Sequence, residues 1–168
     1  MNIKVYENIM PNDINADSLR KTSKISYKYN WDNNHFYIDN IPNKLSHVPE
    51  TIHNHIHYLF DYSIYNSFII ALSGGQEYFH RPEKDIIRVV YYPHRKWMTS
   101  WGGMISFHKD EKKHDNIRYA VNSNPIKTIS KIEDLAVVFD SNIICHEHIL
   151  SKYYAEIKIL YVMDFIKK

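Results

Sequence analysis

The chain has 168 residues, 44% of them hydrophobic, and a formal net charge of +2 from 21 basic and 19 acidic side chains in mixed order. That is chain enough for one core and too little for two, and without a concentrated basic stripe it excludes nucleic acid as the expected partner. Its single cysteine, Cys145, excludes an internal disulfide framework and a four-cysteine zinc site.

The lone thiol fits a reducing compartment. The charged start Met1-Asn-Ile-Lys-Val-Tyr-Glu lacks the apolar stretch of a signal peptide, and no later run reaches membrane-spanning length. A cytoplasmic protein without a membrane partner is the expectation. Residues 1–45 read as a polar N-terminal arm with a first strand, and 46–168 as the main body of a single domain. After Pro42 and Pro49 the apolar residues Ile52, Ile56, Leu59, Phe60 and Ile64 recur at spacings of three and four, which predicts one face of a helix begun by Pro49-Glu50.

From Phe68 onward the pattern changes to short β-rich runs: 68–72, 76–80, 86–92, 103–108, 117–121, 135–139 and 154–163. Seven such runs between Gly, Pro, Asn and Asp turns predict a mainly β domain, a sandwich, barrel or jelly roll, with one or two helices packed on its N-terminal side. Lys109 to Asp115 reads as a solvated charged loop.

Eleven histidines invite metal readings. His53 and His57 share a helix face at a spacing of four, without the acidic neighbour of a zincin motif, and read as polar surface. His35, His47, His108 and His114 lie at turns or strand ends and are assigned no role. His80 ends a predicted strand, while His146 and His148 follow the strand Ala136-Val-Val-Phe and its Asp140-Ser-Asn turn. Two strand-end imidazoles far apart in sequence can meet across a jelly roll and, with one carboxylate, occupy one face of an iron(II) ion.

Between them runs Val89-Val-Tyr-Tyr-Pro-His-Arg-Lys-Trp-Met-Thr-Ser-Trp-Gly-Gly-Met-Ile-Ser-Phe. Trp97 and Trp101 can pack a long turn on the core, and Gly102-Gly103 allows a backbone path that a side chain would obstruct. This stretch, with Leu135-Ala-Val-Val-Phe-Asp-Ser-Asn-Ile-Ile-Cys-His-Glu-His downstream, resembles the prolyl-hydroxylase-like iron(II)- and 2-oxoglutarate-dependent oxygenases over about residues 68–165.

The resemblance implies a double-stranded β-helix, with His80 and His146 as metal ligands, His148 competing with His146, and Tyr92 and Lys158 holding the far carboxylate of 2-oxoglutarate. It implies hydroxylation of a C–H bond in a peptide, amino-acid or small-molecule substrate. Lys158 sits in an apolar strand, where its charge needs a partner; the cosubstrate or Glu156 would serve. Arg88, on the same face as Tyr92, is either a further anchor or an ordinary charge on an exposed strand.

The pattern departs from the family at its first iron motif, where His-any-Asp is replaced by His80-Arg81-Pro82. Proline cannot coordinate iron, so the carboxylate falls to Glu83 or Asp85. The alternatives are a catalytically inactive jelly-roll binding module, and a cupin-like metal protein using His80, His146 and His148 without 2-oxoglutarate. The sequence leaves oligomeric state open.

Overall fold

The computed structural model describes residues 3–9, 28–30, 35–38, 47–110, 124–148 and 157–168. Eleven strands form two antiparallel sheets among these residues. The larger sheet contains β1 (Lys4–Glu7), β2 (Lys28–Asn30), β3 (His35–Ile38), β4 (Tyr62–Leu72), β6 (Ile86–Tyr92), β9 (Leu135–Asp140) and β11 (Lys158–Lys167), in the order β1-β9-β6-β11-β4-β3-β2. The smaller contains β5 (Tyr78–His80), β7 (Ile105–Lys109), β8 (Lys127–Ile129) and β10 (Ile143–Glu147), in the order β5-β10-β7-β8. From β4 on, the chain moves repeatedly between the two sheets, which is the winding of a jelly roll and bears out the expected mainly β architecture.

Two apolar layers hold it. The first, with Ile70, Leu72, Val90, Tyr92, Phe107, Val137, Phe139, Leu160 and Val162, fills the space between the sheets. The second covers the other face of the larger sheet, where Val89, Tyr91, Val138, Tyr161 and Met163 meet Val48, Ile52, Ile56 and Leu59 from the preceding helical segment. Every residue of β6 is therefore buried, and its run Ile-Ile-Arg-Val-Val-Tyr-Tyr shows no alternation because both faces are covered. The strands from residues 1–45 lie at the two edges of the larger sheet, β1 on β9 and the β2–β3 pair on β4.

The helix is shorter than its spacing predicts. α1 spans Val48–His55, Ile56 leaves helical geometry, and a single 3-10 turn covers His57–Leu59 before β4 begins at Tyr62. Phe60 and Ile64 are exposed rather than on a helix face. β4 extends back to Tyr62 because β11 offers it partners through Lys167, a tertiary pairing that overrides the local period. His53 and His57 consequently do not form a helical pair: the His53 ring nitrogen Nε2 lies 2.9 and 3.0 Å from the carbonyls of Leu59 and Tyr62, closing the turn.

Strands β8 and β10 were not among the seven predicted runs, whereas the predicted strand 117–121 lies outside the described residues. No described helix is long and apolar enough to cross a membrane.

Candidate functional site

Between β6 and β7 the chain makes the long tryptophan turn. Trp97 is buried, donates from its indole Nε1 to the Gly102 carbonyl at 3.1 Å, and meets Trp101 edge to face. Gly102 and Gly103 both have positive φ, 73° and 67°, where a Cβ would clash. The turn thereby delivers the Gly103 carbonyl to Lys158 Nζ at 2.5 Å. This carbonyl lies at the end of the barrel where β6 and β10 finish and β11 starts.

Inside that end, Tyr92 from β6 and Lys158 from β11 converge, as the resemblance implies, but the carboxylate they hold is Glu147 from β10. Tyr92 donates its hydroxyl to Glu147 Oε1 at 2.5 Å, and Lys158 Nζ contacts Oε2 at 2.5 Å. All three residues have 0% exposure. The Lys158 ammonium needed a counter-charge, and the protein supplies it internally; Glu156, the alternative within the chain, lies outside the described residues. Burying both ions costs several kcal/mol each, offset only by hydrogen bonding as close as this.

The polar network continues along the barrel. His80 Nε2 is 3.4 Å from Glu147 Oε1, and its Nδ1 is 3.5 Å from Arg88 Nη1. Arg88 binds Asp164 through two parallel contacts of 2.7 and 2.8 Å. Arg88 does share Tyr92's face, but it lies on a buried strand with a protein partner, so it is neither an exposed charge nor free to anchor a cosubstrate. Cys145, directly across from His80 in the β10–β5 register, donates its thiol toward Glu147 Oε1 at 3.5 Å.

Electrostatics follow from this packing. Burial alone would raise the Glu147 carboxyl, but the adjacent Lys158 and the His80 hydrogen bond hold it down at about 2. Burial, then Glu147, pushes the Tyr92 phenol and the Cys145 thiol well above their ordinary values. Burial also lowers His80, against the opposing pull of the Glu147 hydrogen bond.

His146 lies on the other face of the same strand, because side chains alternate along β10, and His148, the residue just past its end, stacks on it. His146 Nε2 lies 3.3 Å from Glu77 Oε2, and its ring stacks on Phe79 at 4.0 Å and on His148 at 4.1 Å. Ser106 Oγ bridges His148 and His108 at 2.7 and 2.9 Å. Burial, then His148, lowers His146 to about 4; burial, then Lys158 and His108, lowers His148 as well. These imidazoles border a cleft of about 310 Å³ lined by Glu77, Thr99, Gly103, Met104, His146 and His148, among others.

The residues do not fit an iron(II)–2-oxoglutarate centre as the resemblance assigns it. His80 faces the barrel interior and His146 the outer cleft, so the two imidazoles do not meet; His148 shares His146's face. Glu83 and Asp85 are exposed and supply no inward carboxylate, while Arg81 turns to pair with Asp110. Residue type picked out His146, but strand phase decides which side chains point inward. They are Cys145 and Glu147, which spacing alone did not single out.

No family profile matches the chain, and no curated protein matches it by sequence. Solved structures do match by shape. A prolyl-4-hydroxylase from Pseudomonas putida aligns with 99% of this chain and 92% of its own at a TM-score of 0.64 and 12% identity. The non-heme α-ketoglutarate-dependent epimerase SnoN of nogalamycin biosynthesis covers 98% and 78% at 0.70 and 6%. HygX from Streptomyces hygroscopicus, with nickel and 2-oxoglutarate bound, covers 99% and 83% at 0.67 and 5%. The chain thus has the jelly-roll fold of the prolyl-hydroxylase-like and related 2-oxoglutarate oxygenases. These neighbours include both a hydroxylase and an epimerase, so the fold alone does not select a reaction.

Proposed function

We propose that this chain is a binding protein built on the oxygenase fold, which takes a small-molecule or peptide ligand in the cleft beside β10 and does not use 2-oxoglutarate. The observation that carries this reading is the Glu147 carboxylate. It engages both residues the family assigns to the cosubstrate, Tyr92 and Lys158, in a pocket with no solvent exposure. A second carboxylate could enter only if Glu147 withdrew, leaving that charge without its counter-ion. The cleft offers a different kind of site: neutral imidazoles, one carboxylate and the exposed Met104 around a space suited to a small group or one side chain. The single, buried thiol accords with a reducing, cytoplasmic setting.

The competing reading, an iron(II)- and 2-oxoglutarate-dependent oxygenase, draws support from the fold neighbours and from the convergence of Tyr92, Lys158 and His80 inside the barrel. One experiment separates the two. The purified protein is titrated anaerobically with iron(II) and 2-oxoglutarate, monitoring the visible charge-transfer band of a metal-chelated keto acid, and is then exposed to dioxygen and assayed for succinate. The binding reading expects neither band nor succinate; a band of one keto acid per chain establishes the oxygenase reading instead.

A further inference from the structure

Resting on the binding reading of the cleft, we propose that the group it takes is a primary alkylammonium, held by the Glu77 carboxylate with its alkyl stem on Met104. A free amine and the lysine side chain of a peptide both offer that group. Charge selects the cation. Among the described residues that line the cleft, Glu77 is the one with a full charge, and none is a lysine or arginine. Lys158 reaches the carbonyl of Gly103, but it has 0% exposure and Glu147 balances its charge. Burial, then His148, holds His146 down to about 4, so its ring adds no charge near neutral pH. An anion brought into this space therefore meets a carboxylate, whereas an ammonium meets its counter-charge.

Hydrogen bonding selects a donor. A carboxylate only accepts, so the 3.3 Å contact between Glu77 Oε2 and His146 Nε2 puts the ring proton on Nε2. Nδ1 is then an acceptor, and it is buried without a hydrogen-bond partner. The Glu77 contact is long for a hydrogen bond, a carboxylate has room for several, and 31% of this side chain remains exposed. Thr99 and Ser130 add hydroxyls that can accept. The glycine carbonyls beside them are occupied, Gly102 by the Trp97 indole and Gly103 by Lys158. The lining side chains thus present acceptors in excess, and an ammonium, which donates from every hydrogen and accepts nothing, complements them.

Shape sets the stem. The cleft, about 310 Å³, lies at the small end of ligand pockets. Met104 is 41% exposed, and its flexible thioether can follow an unbranched alkyl chain while the charged head stays at the carboxylate. The His146 ring, stacked on both Phe79 and His148, holds the wall beside Glu77 in place.

The test is a titration of the purified protein, with no iron or keto acid added, followed by NMR of the carbon-bound histidine ring protons near neutral pH. Butylammonium chloride is expected to give a saturable shift of the His146 and His148 signals, assigned from His146→Ala and His148→Ala. Butyrate and 1-butanol, which keep the chain and change the head group, are expected to give none. Glu77→Gln should weaken the amine about tenfold or more, the loss of one charge-assisted contact. The head-group comparison in the wild type decides the matter even where that variant fails to fold. A lysine blocked at both ends of its backbone separates the sources: tighter binding than butylammonium assigns the group to a peptide, weaker binding to a free amine. Equal shifts from 1-butanol or butyrate, an unchanged amine affinity in Glu77→Gln, or no saturable shift from either amine overturns the inference. Because these titrations contain neither iron nor keto acid, a keto-acid band in the iron titration overturns the binding-protein reading on separate evidence, and the two failures are distinguishable.

Discussion

Along β10 and the residue that follows it two pairs of side chains alternate, Cys145 and Glu147 facing the barrel interior and His146 and His148 facing the cleft. Inward, every charge has a partner of opposite sign: Glu147 with Lys158, and Arg88 with Asp164, with His80 between the two pairs. Outward, His146 meets Glu77 and Ser106 bridges His148 and His108, while burial, then neighbouring positive groups, lower both His146 and His148. Only the thickness of the strand separates these settings, yet one is a closed network and the other an open rim. The difference shows that residue type does not fix a role in a β-sheet. The phase of the strand does, by assigning each side chain to one solvent environment or the other.

The comparison can be broken most directly at Lys158. Lys158→Met leaves Glu147 buried without a counter-charge and is expected to cost about 3–5 kcal/mol in urea unfolding. The double variant Lys158→Met/Glu147→Leu should recover most of that loss; a single variant with near-wild-type stability would show that the network does not hold the barrel end together. Tyr92→Phe removes one donor from the same carboxylate and is expected to cost about 1–3 kcal/mol by the same assay.

Acid should sharpen the contrast, because the two faces titrate in separate windows. His146 has a folded pKa of about 4, below the ordinary histidine value near 6.5. The unfolded chain therefore takes up this proton first, and the stability present above about 6.5 declines as pH falls toward about 4. Glu147, held at about 2, contributes stability that is intact above the ordinary carboxylate range and is lost below it, toward pH 2. Unfolding free energy measured against pH should fall in two phases, and His146→Ala should remove part of the upper one while leaving the lower. The smallest effect is expected from that substitution at neutral pH: His146→Ala loses a ring stack at the cleft edge and should cost about 1 kcal/mol.

Much of the fold was legible because its signals are local. The strands 86–92 and 135–139 match almost residue for residue, since continuous Val, Ile and Tyr runs between turn residues leave few alternatives. The tryptophan turn was legible from Trp97 and the glycine pair, whose positive φ values are a backbone requirement that sequence states outright. Tyr92 and Lys158 were found as a converging pair, and the need of Lys158 for a partner was apparent from its apolar strand. The partner itself was missed. Ile143-Ile144-Cys145-His146-Glu147 is apolar in both phases at its start, so nothing local says whether Cys145 and Glu147 or His146 faces inward. The short β5 strand settles it by placing Cys145 against His80.

The sequence by itself determined the strand-rich jelly roll, the glycine turn and the requirement for a carboxylate beside Lys158, because each follows from hydrophobic pattern, backbone sterics or the cost of burying a charge. Tertiary structure alone decided that Glu147 meets that requirement, that His80 and His146 lie on opposite faces, and that β4 begins where a helix was expected. Each of those outcomes depends on cross-strand register, and register is set by partners distant in sequence whose pairing no local period encodes.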